Sequence, residues 1–139
     1  MREIKFRAWD RESQTMHLVS QIDFAVSKTG IQQIGVQIGH CKENEDGYYA
    51  TDIELMQYTG LKDCKRTAEY PEGQEIYEGD ILKHQIWSYT TVQVIWSDIM
   101  FRAITVRGEE HNMPLVYLQT DKCEVIGNIY ENPELLEVK

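Results

Sequence analysis

The chain has 139 residues, 42% of them hydrophobic and 27% charged, which suffices for one ordinary domain or two small β modules and is too apolar for a disordered chain. Fourteen basic against twenty-three acidic side chains leave a net charge of −9, so a phosphate backbone is repelled at long range and generic nucleic-acid binding is disfavoured. No apolar run approaches the ~20 residues of a membrane span, and Met1-Arg2-Glu3-Ile4-Lys5 holds no apolar leader core, so a cytoplasmic protein without membrane attachment is expected.

Residues 3–9, EIKFRAW, place Ile4, Phe6 and Ala8 on one side of a strand and Lys5 and Arg7 on the other. A polar break, Asp10 to Gln14, precedes a second apolar-rich stretch from Met16 to Phe24, and a hairpin is the simplest reading. A third strand follows in which Ile34, Val36 and Ile38 alternate with Gly35 and Gln37. Gly30, Gly35 and Gly39 belong to strands and turns, because no phosphate-loop spacing connects them. His40 to Asp52 is polar and acidic, with a turn signal at Asp46-Gly47, and reads as a mobile loop. Ile53 to Gly60 is short enough to be a strand or a helical turn.

The acidity is concentrated mid-chain: residues 31–80 carry eleven Asp and Glu against four Lys and Arg, a net −7. Residues 63–75, charge-rich with Pro71 and Gly73, read as a linker between an N-terminal β subdomain (1–62) and a C-terminal β subdomain (76–139). In the latter, four apolar segments follow closely: Ile76 to Trp87, Thr90 to Trp96, Met100 to Val106, and Glu124 to Tyr130. Val92, Val94 and Trp96 alternate with Thr91, Gln93 and Ile95, and Ser97-Asp98 marks a reversal before Phe101. Short strands at this spacing predict a small barrel or roll. Trp96 and Phe101 are expected in its core, and Trp87 and Tyr89, beside Ser88 and Thr90, on its surface. Glu78-Gly79-Asp80 reads as a structural turn, with glycine free to take φ > 0 and Asp80 bonding nearby amides. Asn132-Pro133-Glu134 carries the signals of a short terminal helical turn, with Asn132 as its cap.

Three segments, MREIKFRAWD at the start, the pair MQYTGLKD (Met56 to Asp63) and EIYEGDIL (Glu75 to Leu82), and EVIGNIYENPELL (Glu124 to Leu136), resemble the YopX family of phage- and prophage-encoded proteins. That resemblance implies a C-terminal SH3-like barrel and a location in a bacterial host cell; with the N-terminal antiparallel strands read above, a mainly β protein is expected. The resemblance brings no catalytic residue, cofactor or substrate. Between Asp63 and Glu75 the chain holds CKRTAEYPEGQ, longer than the family's usual turn.

Cys41, Cys64 and Cys123 are odd in number and lack CxxC spacing, and His17, His40, His84 and His111 are scattered. A zinc site from His40, Cys41, Cys64 and Cys123 therefore has no spacing in its favour, and no signature selects a Cys–His nucleophile pair. No metal, cofactor or catalytic residue is expected. The first functional expectation is a non-catalytic binding or assembly module for a host or phage protein. Its candidate surfaces are Trp87 with Tyr89 and the acidic run Glu43, Glu45 and Asp46. Short strands with open edges also suggest a homo-oligomer. The alternatives are a metal-dependent enzyme of phage nucleotide or nucleic-acid metabolism using Glu72, Glu75, Glu78 and Asp80, and an acidic DNA mimic that inhibits a host enzyme.

Overall fold

The structure is a computed structural model that describes residues 3–26, 32–38, 48–87, 90–108 and 110–137. It is built of antiparallel strands, with three short 3-10 turns and no α-helix among the described residues. The chain forms two compact units, one of Lys5–Gln57 and one of Tyr58–Lys139 with Met1–Ile4, here called the N-terminal and C-terminal units. The division falls inside one strand. No helix among the described residues is long and apolar enough to cross a membrane.

In the N-terminal unit, strands β1 (Phe6–Asp10), β2 (Thr15–Val26), β3 (Gln32–Ile38), β4 (Tyr48–Ala50) and β5 (Ile53–Lys62) lie in the order β4-β3-β2-β1-β5. Ala8 sits opposite His17 on one side and Leu55 on the other, and Val36 opposite both Ile22 and Ala50. Ala8, Val36 and Ala50 are buried and covered by Val19, Ile22, Ile53 and Leu55. The β1–β2 hairpin is closed by Asp10, whose carboxylate accepts from the Glu12 N–H at 3.0 Å and the Ser13 hydroxyl at 2.9 Å.

Three expectations change here. Ile53 onward is a strand of ten residues, which removes the helical alternative. The stretch read as a loop before it contains β4, whose Tyr48-Tyr49-Ala50 was hidden by acidic neighbours. Ile4 is 65% exposed, because β1 begins only at Phe6.

In the C-terminal unit, β6 (Glu75–Tyr77) pairs with the end of β5, with a register shift between Tyr58 and Lys62 around Gly60, at φ +85°. Strands β7 (Asp80–His84), β8 (Thr91–Ser97), β9 (Met100–Arg107), β10 (Asn112–Pro114) and β11 (Cys123–Asn128) form a sheet in the order β10-β9-β8-β7-β11. The sheet does not close on itself. The single apolar segment from Ile76 to Trp87 is thus two strands parted at Glu78-Gly79. Gly79 turns there at φ +81°, and the Tyr77 N–H donates to Asp80 Oδ2 at 2.8 Å. The turn is held from both sides, since the Gly79 N–H donates to the Val94 carbonyl and the Ile129 N–H to the Gly79 carbonyl.

Residues 63–75 lie within the C-terminal unit. Buried Asp63 organises them: Oδ1 accepts from the Lys65 and Gln74 N–H groups at 3.0 and 2.7 Å, and Oδ2 from the Val125 N–H at 2.9 Å. A carboxylate so placed satisfies three amides that no ladder reaches. The core of this unit is Ile76, Leu82, Val92, Val94, Ala103, Leu115, Leu118 and Cys123. The chain ends in a 3-10 turn, Pro133–Leu136. Asn132 does not cap it; its side-chain oxygen accepts from the Asn128 N–H at 3.2 Å instead.

Candidate functional site

Of the residues proposed from sequence as a partner surface, Glu43, Glu45, Asp46 and Tyr89 lie outside the described residues. Trp87 is half-buried and packs against the C-terminal core. It lies between two imidazoles, stacked on His84 at 4.2 Å and on His111 at 5.3 Å between ring centroids. His84 is 1% exposed, and its Nδ1 accepts from the Ile86 and Trp87 N–H groups. Burial pushes its pKa below the ordinary 6.5, with the Leu118 backbone opposing that shift.

The chemistry-bearing side chains do not converge. Among the described residues no three of His, Cys, Asp and Glu meet in a group that could hold a metal ion, so Glu72, Glu75, Glu78 and Asp80 do not form one. The Cys123 thiol is pushed up to about 12 by burial and, secondarily, by Cys64 beside it. Cys64 is raised by partial burial and by Asp63. Neither thiol is poised as a thiolate, the form that attacks carbon or binds zinc. His40 and Cys41 lie outside the described residues.

An apolar hollow of the C-terminal unit lies elsewhere, at the end of the β8–β9 hairpin. A groove of about 600 Å³ is lined by Thr59, Gly60 and Leu61 of β5, by Trp96, Ile99, Met100 and Phe101 of the hairpin, and by Pro114 to Tyr117. Each wall follows from local geometry. Leu115–Tyr117 is a 3-10 turn, in which residues three apart share a face. Leu115 and Leu118 therefore point inward at 1% and 0% exposure, while Val116 and Tyr117 stand out at 69% and 71%. Gly60 contributes no side chain, and a Cβ there would meet nothing within 4 Å, so that part of the trough is empty.

Trp96 overturns the core assignment drawn from alternation. Val92 and Val94 on the same face are buried, but Trp96 is 53% exposed. It stands two residues beyond Val94, where the β8 face opens into the groove, and meets Phe101 edge-on at 4.9 Å. Phe101 is partly buried against the core, as alternation predicted. The reversal between the strands is made by Asp98 and Ile99, at φ +52° and +60°. Two left-handed residues give the turn whose twist matches a hairpin. Asparagine and glycine suit such positions; a β-branched residue does not. Ile99 nevertheless occupies one, 89% exposed at the tip.

Sequence reasoning missed Ile99, Val116 and Tyr117. The available signals were an isoleucine directly after a turn aspartate and an apolar run, Leu115-Val116-Tyr117-Leu118, lying between the expected strands.

Compared with known proteins, the sequence matches the model of the YopX protein family over residues 5–137. The crystal structure of protein EF1440 from Enterococcus faecalis is similar over 99% of this chain and 100% of that one, at 28% identity and a TM-score of 0.56. The X-ray crystal structure of protein yopX from Bacillus subtilis is similar over 97% of both chains, at 19% identity and a TM-score of 0.54, a likeness of fold. No curated protein matches the sequence.

Proposed function

The chain belongs to the YopX family, and on that premise we propose that it is a phage- or prophage-encoded, non-catalytic binding and assembly module. Its docking site is the apolar groove of the C-terminal unit. We read that unit as an opened variant of an SH3-like barrel, in keeping with its five antiparallel strands. The groove carries the reading. Five large apolar side chains, Trp96, Ile99, Met100, Val116 and Tyr117, are each more than a third exposed around one trough. Contiguous exposed apolar surface on a water-soluble domain is unfavourable unless something covers it.

The lining is suited to holding and ill suited to reacting. The tyrosine hydroxyl is its sole ionisable group, so it offers no general base, nucleophile or metal ligand set. What it does offer is aromatic and aliphatic anchors around an apolar hollow, the composition found at the energetic centre of protein interfaces.

A photo-crosslinking amino acid at Tyr117, compared with the same group at exposed Lys83 on β7, tests the reading in the bacterial host. The docking function predicts a discrete protein adduct from position 117, lost when Trp96→Ser is added. Equal, diffuse labelling from both positions would count against it.

A further inference from the structure

We infer that the occupant of this groove is a second copy of the chain, joined through a two-fold contact in which each hairpin tip enters the other's trough. This rests on the docking reading above and names its partner. Three observations carry it. First, knob and hollow are neighbours: Ile99 projects at 89% exposure beside a groove of about 600 Å³ that it helps to line. A protrusion next to its own complementary cavity is self-complementary across a two-fold axis, the commonest symmetry of protein oligomers.

Second, the surface areas match. The exposed parts of Trp96, Ile99, Met100, Val116 and Tyr117 come to roughly 500 Å² in one copy, with aromatic rings offering 150–250 Å² when whole. Two facing copies that cover each other's patch fully supply about 1,000 Å², the lower bound for a specific interface, to which rim contacts add. Third, isoleucine at φ +60° is a costly choice for a turn tip in water, where glycine would be free of strain and would expose nothing apolar. Both costs are offset when the side chain is buried in a partner.

Charge sets the sign of the salt response. Each copy carries −9 and brings an exposed carboxylate, Asp98, to the contact beside Ile99, so two copies repel while the groove lining holds no basic side chain to offset that. Screening that repulsion strengthens the dimer. A basic partner would show the opposite dependence.

The test is sedimentation of the full chain across a concentration series, in about 50 mM and about 500 mM NaCl, where the screening length falls several-fold. We expect a reversible monomer–dimer equilibrium that tightens with salt. Ile99→Gly should weaken association about tenfold or more, as loss of a buried anchor does, while raising the melting temperature of the monomer. Val116→Asp, at a second point on the patch, should abolish the dimer and leave the fold intact. A chain that stays monomeric throughout, or a dimer indifferent to both substitutions, overturns the inference. If the Tyr117 probe then captures a different protein, the docking reading stands and only the identity of the partner falls; if it captures nothing, both fall.

Discussion

At the residue scale, His84 shows how a buried titratable group links stability to pH. Its Nδ1 accepts two backbone N–H bonds, which places the proton of the neutral ring on the buried Nε2. Charging the ring in that place is opposed by burial, so its pKa is lowered in the folded chain. The unfolded chain titrates at the ordinary 6.5. The folded state therefore binds fewer protons between its own pKa and 6.5, and stability is full above that range and lost as pH falls into it. His84→Asn keeps an acceptor for Ile86 and Trp87 and removes the titration. Urea unfolding at pH 7, 6 and 5 should show the wild type losing stability with acid more steeply than the variant. Parallel slopes would place the pH dependence on other groups. The histidine was visible in the sequence, but its burial was not, because Lys83-His84-Gln85 reads as a polar strand end.

At the scale of elements, the excursion after β5 is held by a fit between Asp63 and Gly73. Gly73 adopts φ +104°, and a Cβ there would lie 2.2 Å from the Asp63 carbonyl oxygen, a backbone atom that is also flanked by the carboxylate knot to Lys65, Gln74 and Val125. Gly73→Ala should cost about 3 kcal/mol or more, from strain at φ > 0 together with overpacking, measured as a fall in the urea midpoint. An unchanged midpoint would mean that the excursion is not closed by this contact. Local chemistry made much of this level legible. Val92 and Val94 announced a buried face, and Gly79 with Asp80 announced a turn. What stayed hidden depended on partners distant in sequence. Trp96 shares the phase of Val94 and is exposed, because period-two alternation reports which face a residue is on and not how far the covering layer extends. Tyr48–Ala50 is a strand because β3 offers it an edge, whatever the charge of its neighbours.

At the scale of the molecule, the two functional expectations fare differently. Among the described residues the carboxylates weighed as a metal site join no group of three that could hold a metal ion, and both described thiols are raised away from reactivity. The binding module we propose rests on a groove that composition did not indicate, since it is assembled from β5, the β8–β9 hairpin and the turn at Leu115, with Thr59 and Tyr117 58 positions apart in sequence. Each contributes between one and four apolar residues that are unremarkable in isolation. The acidity, by contrast, was legible at once, and it sets the sign of the salt response expected of the proposed self-association. The most direct measurement is amide hydrogen exchange of the full chain at low and high protein concentration. Concentration-dependent protection confined to residues 96–101 and 113–118, beside β5 at Gly60, is the predicted result. Protection that is the same at both concentrations, or that rises on a different face, would contradict the groove as the surface where copies meet.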